Sequence, residues 1–112
     1  MPANRIRELN DAFRTGQRPE LGQIVITPGV RELVAAWPLG IVNVYEPVKS
    51  FDAFDTDNDP HHEHDFGAFE HAGATLFFKI DYYDEKLKHG SEDPANPHIT
   101  KRLLTIMRAD EY

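Results

Sequence analysis

The stretch ATLFFKIDYY, at Ala74–Tyr83, decides the fold, because it is the strongest strand pattern in the chain. One face carries Ala74, Leu76, Phe78, Ile80 and Tyr82, and the other carries Thr75, Phe77, Lys79, Asp81 and Tyr83. A period of two is typical of a β-strand, and the first face is apolar enough to lie against a core. We therefore predict a central strand here.

The segments on either side of this strand predict its neighbours in a sheet. Phe66–Glu70 is predicted as a strand that enters a hairpin turn at Ala72-Gly73. Gly67, next to aromatic residues, predicts a close approach of the backbone to the core. Asp84–His98 is polar and rich in turn residues, which is typical of a surface loop, and Lys101–Ala109 is predicted as the last strand.

Two amphipathic helices are predicted before the acidic part of the chain. In Asn4–Thr15 the apolar residues fall at helical spacing, and the alternating charges on the other face are typical of a solvated surface. A short strand, Gln23–Thr27, follows, and Thr27-Pro28 suits the cap and first residue of a second helix. The apolar stripe of that helix consists of Val30, Leu33, Val34 and Trp37, and the Trp37-Pro38 step should end it.

A further strand is predicted at Ile41–Tyr45, and it can extend to Phe51 with Pro47 at an edge or bulge. The order helix, strand, helix and then further strands indicates an α+β fold. We predict a single domain, residues 1–112, with a mainly antiparallel or mixed sheet of about four to five strands and two helices packed on one face.

Composition excludes several classes of protein. The length of 112 residues and the 40% hydrophobic content are typical of one soluble globular domain. The absence of cysteine excludes disulfides, thiolate nucleophiles and Cys-based metal sites. The N-terminal residues lack the apolar run of a signal peptide, and no apolar run approaches the roughly 20 residues of a membrane-spanning helix. We therefore expect a cytoplasmic protein with no membrane partner.

The charge is concentrated in one segment, Asp52–His71, which reads DAFDTDNDPHHEHDFGAFEH and is called the acidic segment below. It holds seven carboxylates and four of the six histidines but no Lys or Arg, whereas the other 92 residues carry twelve acids and twelve bases. Its formal charge of −7 therefore equals that of the whole chain. Such a patch repels phosphate and attracts basic partners, so no direct contact with nucleic acid is expected.

Calcium binding is one function to consider for the acidic segment. Asp55, Asp57 and Asp59 have the spacing that opens an EF-hand loop. The pattern then fails, because Pro60 and Phe66 occupy the positions of the required Gly and of the bidentate Glu. The spacing alone therefore does not predict a calcium site.

A transition-metal site is a second function to consider. Two histidines one residue apart project to the same side of an extended segment, and nearby carboxylates can add ligands. The candidate ligands are His62, His64, Asp59 and Glu63, with His71 or His98 as a further donor. The spacing matches no recognised metal motif, and a solvated loop explains the same residues.

Acid–base catalysis would need several groups to converge in a cleft. The candidates are Glu63, His64 and Asp65 in the acidic segment and Lys79, Asp81 and Tyr83 on the polar face of the central strand. No serine-nucleophile motif, phosphate-binding loop or dinucleotide-binding glycine pattern is present, so the sequence favours a protein that is not an enzyme. Lys79 and Asp81 are better explained as members of ion pairs, and Asp65 suits a brace that accepts backbone N–H groups.

Seven short motifs span nearly the whole chain: NDAFR at Asn10–Arg14, ITPGV at Ile26–Val30, NDP at Asn58–Pro60, EHDFGAF at Glu63–Phe69, KIDYYD at Lys79–Asp84, SEDP at Ser91–Pro94 and LTIMRADEY at Leu104–Tyr112. This combination resembles a bacterial family known as a domain of unknown function. The resemblance carries over Glu63, His64 and Asp65 but not His62, because the family pattern resembles an aromatic residue and a glycine where this chain has His61-His62. It also implies plasmid-rich and phage-rich genomes, a setting in which some small acidic proteins inhibit nucleic-acid-processing complexes.

These observations predict a small acidic binding protein, without a cofactor, that contacts a basic surface of a macromolecular partner. By analogy with the setting that the resemblance implies, it would inhibit a nucleic-acid-processing complex. The expected partner-binding residues are Asp57, Asp59, Glu63, His64 and Asp65. The alternative is a metal-dependent hydrolase or metal-binding module that uses the Glu63–Asp65 segment with a divalent ion such as zinc. A third interpretation is that the segment is scaffolding, in which case substituting His64 or Asp65 lowers stability. The sequence does not predict the oligomeric state.

Overall fold

Four strands form one mixed sheet in the computed structural model, which describes residues 2–36 and 40–112. The strands are β1 (Gly22–Ile26), β2 (Phe66–His71), β3 (Ala74–Tyr83) and β4 (Lys101–Arg108), in the spatial order β1-β4-β3-β2. β1 runs parallel to β4, whereas β3 is antiparallel to both β4 and β2. The predicted α+β class and the interior position of Ala74–Tyr83 are therefore confirmed.

Three helices in the described part of the chain pack on one face of this sheet. They are α1 (Pro2–Arg14), α2 (Pro28–Ala35) and α3 (Gly40–Ser50). Each contributes buried side chains to one core, which also contains Leu76, Phe78 and Ile80 of β3 and Leu104 and Ile106 of β4. The face of β3 that the sequence predicts to be apolar is thus the face that meets the helices.

The strand predicted at Ile41–Tyr45 is wrong, because this segment is part of the helix α3. β-branched residues favour a strand locally, but Val44 and Val48 lie one helical turn apart and are both buried in the core. The guanidinium of Arg14 donates from Nη1 to the carbonyl oxygens of Val48 and Phe51, over 2.7 and 2.9 Å, and so satisfies groups at the end of α3. Packing on the sheet therefore overrides local propensity, and three helices replace the two predicted.

The start of α2 follows its sequence signals. The hydroxyl of Thr27 accepts the backbone N–H of Val30 over 3.4 Å, and Pro28 is the first helical residue, as predicted. The helix ends at Ala35. The predicted packing of Trp37 and the predicted stop at Trp37-Pro38 lie outside the described residues.

The hairpin between β2 and β3 is confirmed, with φ angles of 52° at Ala72 and 79° at Gly73. The close backbone approach predicted at Gly67 is also present, since a Cβ there would overlap ring atoms of Phe78 and Phe51. Among the described residues, no helix has the length and apolar character needed to cross a membrane.

The second row of β3 side chains lies on the face of the sheet opposite the helices. There Lys79 Nζ lies 3.0 Å from Asp81 Oδ2, and both side chains remain more than one-third exposed. This arrangement explains the two residues as an ion pair. Lys79 and Asp81 therefore lie on the opposite side of the sheet from Tyr82 and the other core-facing residues of β3.

Candidate functional site

The buried carboxylate of Asp59 anchors the acidic segment to the fold. Only 2% of the residue is exposed, and its Oδ1 accepts the backbone N–H groups of Glu63 and His64 over 2.9 and 3.1 Å. Hydrogen bonds of this kind are needed when a carboxylate is removed from water. Asp59, which we predicted as a partner-binding residue, therefore makes its hydrogen bonds within the protein.

The ring of His64 is held between α1 and the acidic segment. It stacks on Phe54 with the ring centroids 3.9 Å apart and the planes 4° from parallel. Its Nδ1 lies 3.0 Å from Asp11 Oδ1, and its Nε2 lies 3.7 Å from Asp59 Oδ2. The backbone of His64 has φ of 57°, a left-handed conformation that costs about 1–2 kcal/mol in a residue other than glycine. Contacts on three sides hold this residue in place.

A buried polar network joins α1, the acidic segment and the sheet. Asn10 is fully buried, and its Nδ2 donates to the Tyr82 hydroxyl and to the Glu63 carbonyl over 2.8 and 2.9 Å. The Tyr82 hydroxyl donates in turn to Oε1 of Glu63 over 2.8 Å. Burial raises the pKa of Tyr82 well above its usual value, which keeps the phenol a donor. Glu63, also predicted as a partner-binding residue, is thus a member of an internal network.

Arg102 completes this network from β4. It is fully buried, its Nε donates to Asn10 Oδ1 over 2.6 Å, and its Nη2 donates to the Pro94 carbonyl over 2.7 Å. Its Nη1 has no hydrogen-bond partner among the described residues. Burial lowers the pKa of Arg102, since a guanidinium in the interior loses its hydration. The hydrogen bonds to Asn10 and Pro94, together with the Tyr82 ring, whose centroid lies 5.2 Å from the guanidinium carbon, compensate this charge directly.

Asp65 differs from its neighbours because its surroundings oppose its charge. The residue is half-buried, and its backbone carbonyl accepts the N–H of Ile80 over 2.8 Å at the start of the sheet. Burial, and then the negative charge of Glu63, raise the pKa of Asp65 above its usual value, and Asp59 adds to the effect. The ionised carboxylate of Asp65 is therefore less favourable in the folded chain than in the unfolded chain.

Replacing Asp65 by Asn is expected to raise the free energy of unfolding at pH 7 by about 0.5–1 kcal/mol, in the range of other charge optimisations. A carboxyl whose folded-state pKa is raised stabilises the fold below its unfolded pKa, and that contribution is lost as pH rises through the raised pKa. The advantage of Asp65→Asn should therefore vanish below about pH 4. Urea unfolding at several pH values measures it, with Asp57→Asn as the control for loss of one exposed charge. A loss of stability at pH 7 would instead identify Asp65 as a brace.

The outer part of the acidic segment is exposed and locally ordered. Asp52, Asp55 and Asp57 are all exposed. Oδ1 of Asp55 accepts the backbone N–H groups of Asp57 and Asn58, each over 2.9 Å, which forms a tight polar turn. The carboxylates of Asp52 and Asp57 take part in no hydrogen bond within the described ranges, so their charges face solvent.

The predicted site residues therefore divide into two groups. Asp57 is exposed and Asp65 is half-buried, whereas Asp59, Glu63 and His64 make internal contacts. The structure brings Asp59 and His64 together, but it leaves His62 exposed. Within residues 2–36 and 40–112, no group of three His, Asp or Glu side chains is placed to hold a metal ion. The geometry gives no support to the alternative metal site at His62, His64, Asp59 and Glu63.

Sequence reasoning missed the partners of the acidic segment. Asn10 and Arg102 sit among residues of the buried faces of α1 and β4, where a polar side chain needs a specific partner. Asn10 follows Leu9 in the apolar stripe of the predicted helix, and Arg102 shares a strand face with Leu104 and Ile106. Their polar side chains at core positions were the sequence signal that these two residues have internal partners. The sequence does not show which groups those partners are.

Comparison with known proteins identifies a family. A family model described as "Protein of unknown function (DUF3768)" matches residues 26–111. No curated protein and no solved structure matches the chain.

Proposed function

The chain belongs to the family of proteins of unknown function called DUF3768, which assigns no activity, and we propose from its own geometry that it is a binding protein. The proposed contact is between exposed or half-buried carboxylates of the acidic segment and a basic surface on a macromolecular partner. Asp52, Asp55, Asp57 and Asp65 form the proposed contact group, which replaces the earlier set of residues because Asp59, Glu63 and His64 serve internal contacts.

The observation that carries this proposal is the exposure of Asp52 and Asp57, whose carboxylates take part in no hydrogen bond within the described ranges and lie in a segment without a lysine or arginine. Burial and the nearby charges of Glu63 and Asp59 also raise the pKa of Asp65, so this carboxylate is repelled by its own segment. A lysine or arginine from a partner would relieve this repulsion on binding. Other bases of the same surface would meet the exposed Asp57 and Asp52, which belong to the same segment, and that segment has no Lys or Arg of its own.

Support also comes from the way the segment is held. The buried Asp59, the clamped ring of His64 and the turn at Asp55 order the backbone around the exposed carboxylates. A segment that is already ordered loses little conformational entropy on binding, which improves affinity. The fixed placement of like charges also favours fast association with a basic surface at low salt.

Binding can be measured by fluorescence anisotropy with a labelled arginine-rich peptide as the basic probe. The test variant is D52N/D57N/D65N, called the outer-acid variant, whose three side chains accept no hydrogen bond from another described residue. The control E32Q/E46Q/E85Q removes the same number of negative charges from exposed positions on α2, α3 and the loop after β3. We expect the outer-acid variant to raise Kd at least about tenfold and the control to raise it less than about threefold.

Salt dependence is the second readout of the same experiment. Exposed charge pairs are screened at separations beyond about 8 Å at physiological ionic strength, so the affinity of the wild type should fall steeply as salt rises. The outer-acid variant should show a smaller dependence. Equal losses of affinity in the two triple variants, or binding that ignores salt, would contradict the proposal.

The class of partner that fits best is a protein whose basic surface otherwise binds nucleic acid. Such a surface presents lysine and arginine to phosphates, and the acidic segment would occupy the same cations. The protein would then act as an inhibitor. We expect the wild type to displace a double-stranded DNA oligonucleotide from the arginine-rich peptide, and the outer-acid variant to displace it only at concentrations about tenfold higher.

A further inference from the structure

The strand β1 lies at an open edge of the sheet, opposite to the edge formed by β2. Two consecutive residues of β1, Ile24 and Val25, are each 38% exposed, although consecutive strand residues point to opposite faces. Both faces of the sheet are therefore incompletely covered at this edge. A strand added beside β1 would contact both side chains at once.

The backbone of β1 also has N–H and C=O groups that pair with nothing in residues 2–36 and 40–112. The N–H of Thr27 donates to the carbonyl of Ile106 on β4 over 3.1 Å, and Ile26 is the register partner of Ile106. In a parallel ladder, alternate residues bond to the same neighbour, so Gln23 and Val25 also turn towards β4. The N–H and C=O groups of Gly22, Ile24 and Ile26 consequently point outward along the open edge.

The sequence of β1 offers no protection against pairing. Its five residues, GQIVI, contain no charge and no proline, which are common devices for blocking an edge strand. The opposite edge differs, because β2 contains Glu70 and directly follows the most acidic part of the chain. A strand from an acidic partner is therefore repelled more strongly at β2 than at β1.

We propose that β1 pairs antiparallel with β1 of a second copy of this chain, which joins the two sheets into one of eight strands. The symmetric register places Ile24 opposite Ile24 of the partner copy, and Gly22 opposite Ile26. The outward-facing backbone groups of these three residues fall into hydrogen-bonded pairs in that register. Ile24 and Val25 each gain a neighbour on their own face of the sheet.

The self-complementary register and the absence of charge on β1 favour a second copy as the occupant. Two chains of net charge −7 repel each other, but they meet here through strands that carry no charge. Seven strand spacings of about 4.8 Å would separate the two β2 strands, roughly 30 Å or more, which is several Debye lengths at physiological ionic strength. Close to β1 in the chain, charges of opposite sign are adjacent, since Arg18 pairs with Glu20 over 2.9 Å and Arg31 is followed by Glu32.

Sedimentation equilibrium over a concentration series tests this pairing. We expect a reversible equilibrium between the 12.8 kDa monomer and a species of twice that mass. Ile24→Lys should weaken the dimer at least about tenfold. The control is Ile99→Lys, because Ile99 has the same 38% exposure but lies in the loop before β4, and this variant should leave the equilibrium unchanged.

A second measurement uses only the wild type, so it remains valid even when Ile24→Lys does not fold. Hydrogen exchange of the Ile24 amide should slow as protein concentration rises, whereas the Val25 amide, already bonded within the sheet, should change little. A wild type that stays monomeric up to about 1 mM, or an Ile24 amide whose exchange ignores concentration, would overturn the proposal. Equal effects of the two lysine substitutions would overturn it as well. None of these outcomes depends on the proposed function of the acidic segment.

Discussion

Replacing Asn10 by Ala is expected to lower the free energy of unfolding by about 3–5 kcal/mol, which is large against a typical total of about 5–15 kcal/mol. Asn10 is fully buried and contacts Glu63, Tyr82 and Arg102 through its amide. Its removal leaves the buried guanidinium of Arg102 with one fewer partner, and it leaves the Glu63 carbonyl without its donor. Urea unfolding at pH 7 measures the loss.

Asn43→Ala is the matched control, because Asn43 is exposed on α3. The same change of residue type there should alter stability by no more than about 0.5 kcal/mol, since alanine also favours a helix. Asn10 gains the same helical preference, so the difference between the two variants isolates the lost contacts. A loss below about 1 kcal/mol at Asn10 would show that the network adds little to the fold.

Replacing Asp59 by Ala is expected to lower the free energy of unfolding by about 2–4 kcal/mol. The substitution leaves the partly buried N–H groups of Glu63 and His64 without their acceptor, and an unsatisfied group costs about 1–3 kcal/mol when it is buried. It also removes the carboxylate that faces His64 Nε2. Thermal and urea unfolding at pH 7 both measure the effect.

Two companion variants make this prediction specific. Asp59→Asn keeps an acceptor oxygen for the backbone and should lose less stability than Asp59→Ala. Asp57→Ala changes the exposed aspartate two residues earlier and should stay within about 0.5 kcal/mol of the wild type. Similar losses at Asp57 and Asp59 would contradict the assignment of Asp59 as the internal anchor.

Much of the fold was predictable because its periodic elements are strong. The alternation in Ala74–Tyr83, the Ala72-Gly73 turn and the cap at Thr27 are local signals, and each is confirmed. The helix α3 was missed because its β-branched residues and Pro47 favour a strand or an edge. The helical spacing of Val44 and Val48 was the sequence pattern that favoured a helix. The helix forms because it buries both side chains against the sheet.

The candidate site was predictable only in part. The sequence located the charge, and the resemblance carried over Glu63, His64 and Asp65 of the acidic segment. The structure adds Asp59 to these residues, because Asp59 is buried and accepts the backbone N–H groups of Glu63 and His64. No local pattern could show that Asn10 and Tyr82 contact Glu63, since these residues are 53 and 19 positions away from it in the chain.

The proposed role of Asp65 also differs from the simplest structural expectation. A brace would lose stability on substitution, whereas the raised pKa of Asp65 indicates that its charge opposes folding. Proteins tolerate such unfavourable groups where function requires them. The acidic segment therefore combines an internal anchor at Asp59 with exposed carboxylates at Asp52 and Asp57 that take part in no hydrogen bond within the described residues.

Urea unfolding of the outer-acid variant, D52N/D57N/D65N, at pH 7 tests most directly whether these charges are free for a partner. We expect a free energy of unfolding equal to or higher than that of the wild type, because the three carboxylates accept no hydrogen bond from another described residue and one of them has a raised pKa. A loss of more than about 1 kcal/mol would show that these carboxylates hold the fold together, and it would contradict the proposed contact surface.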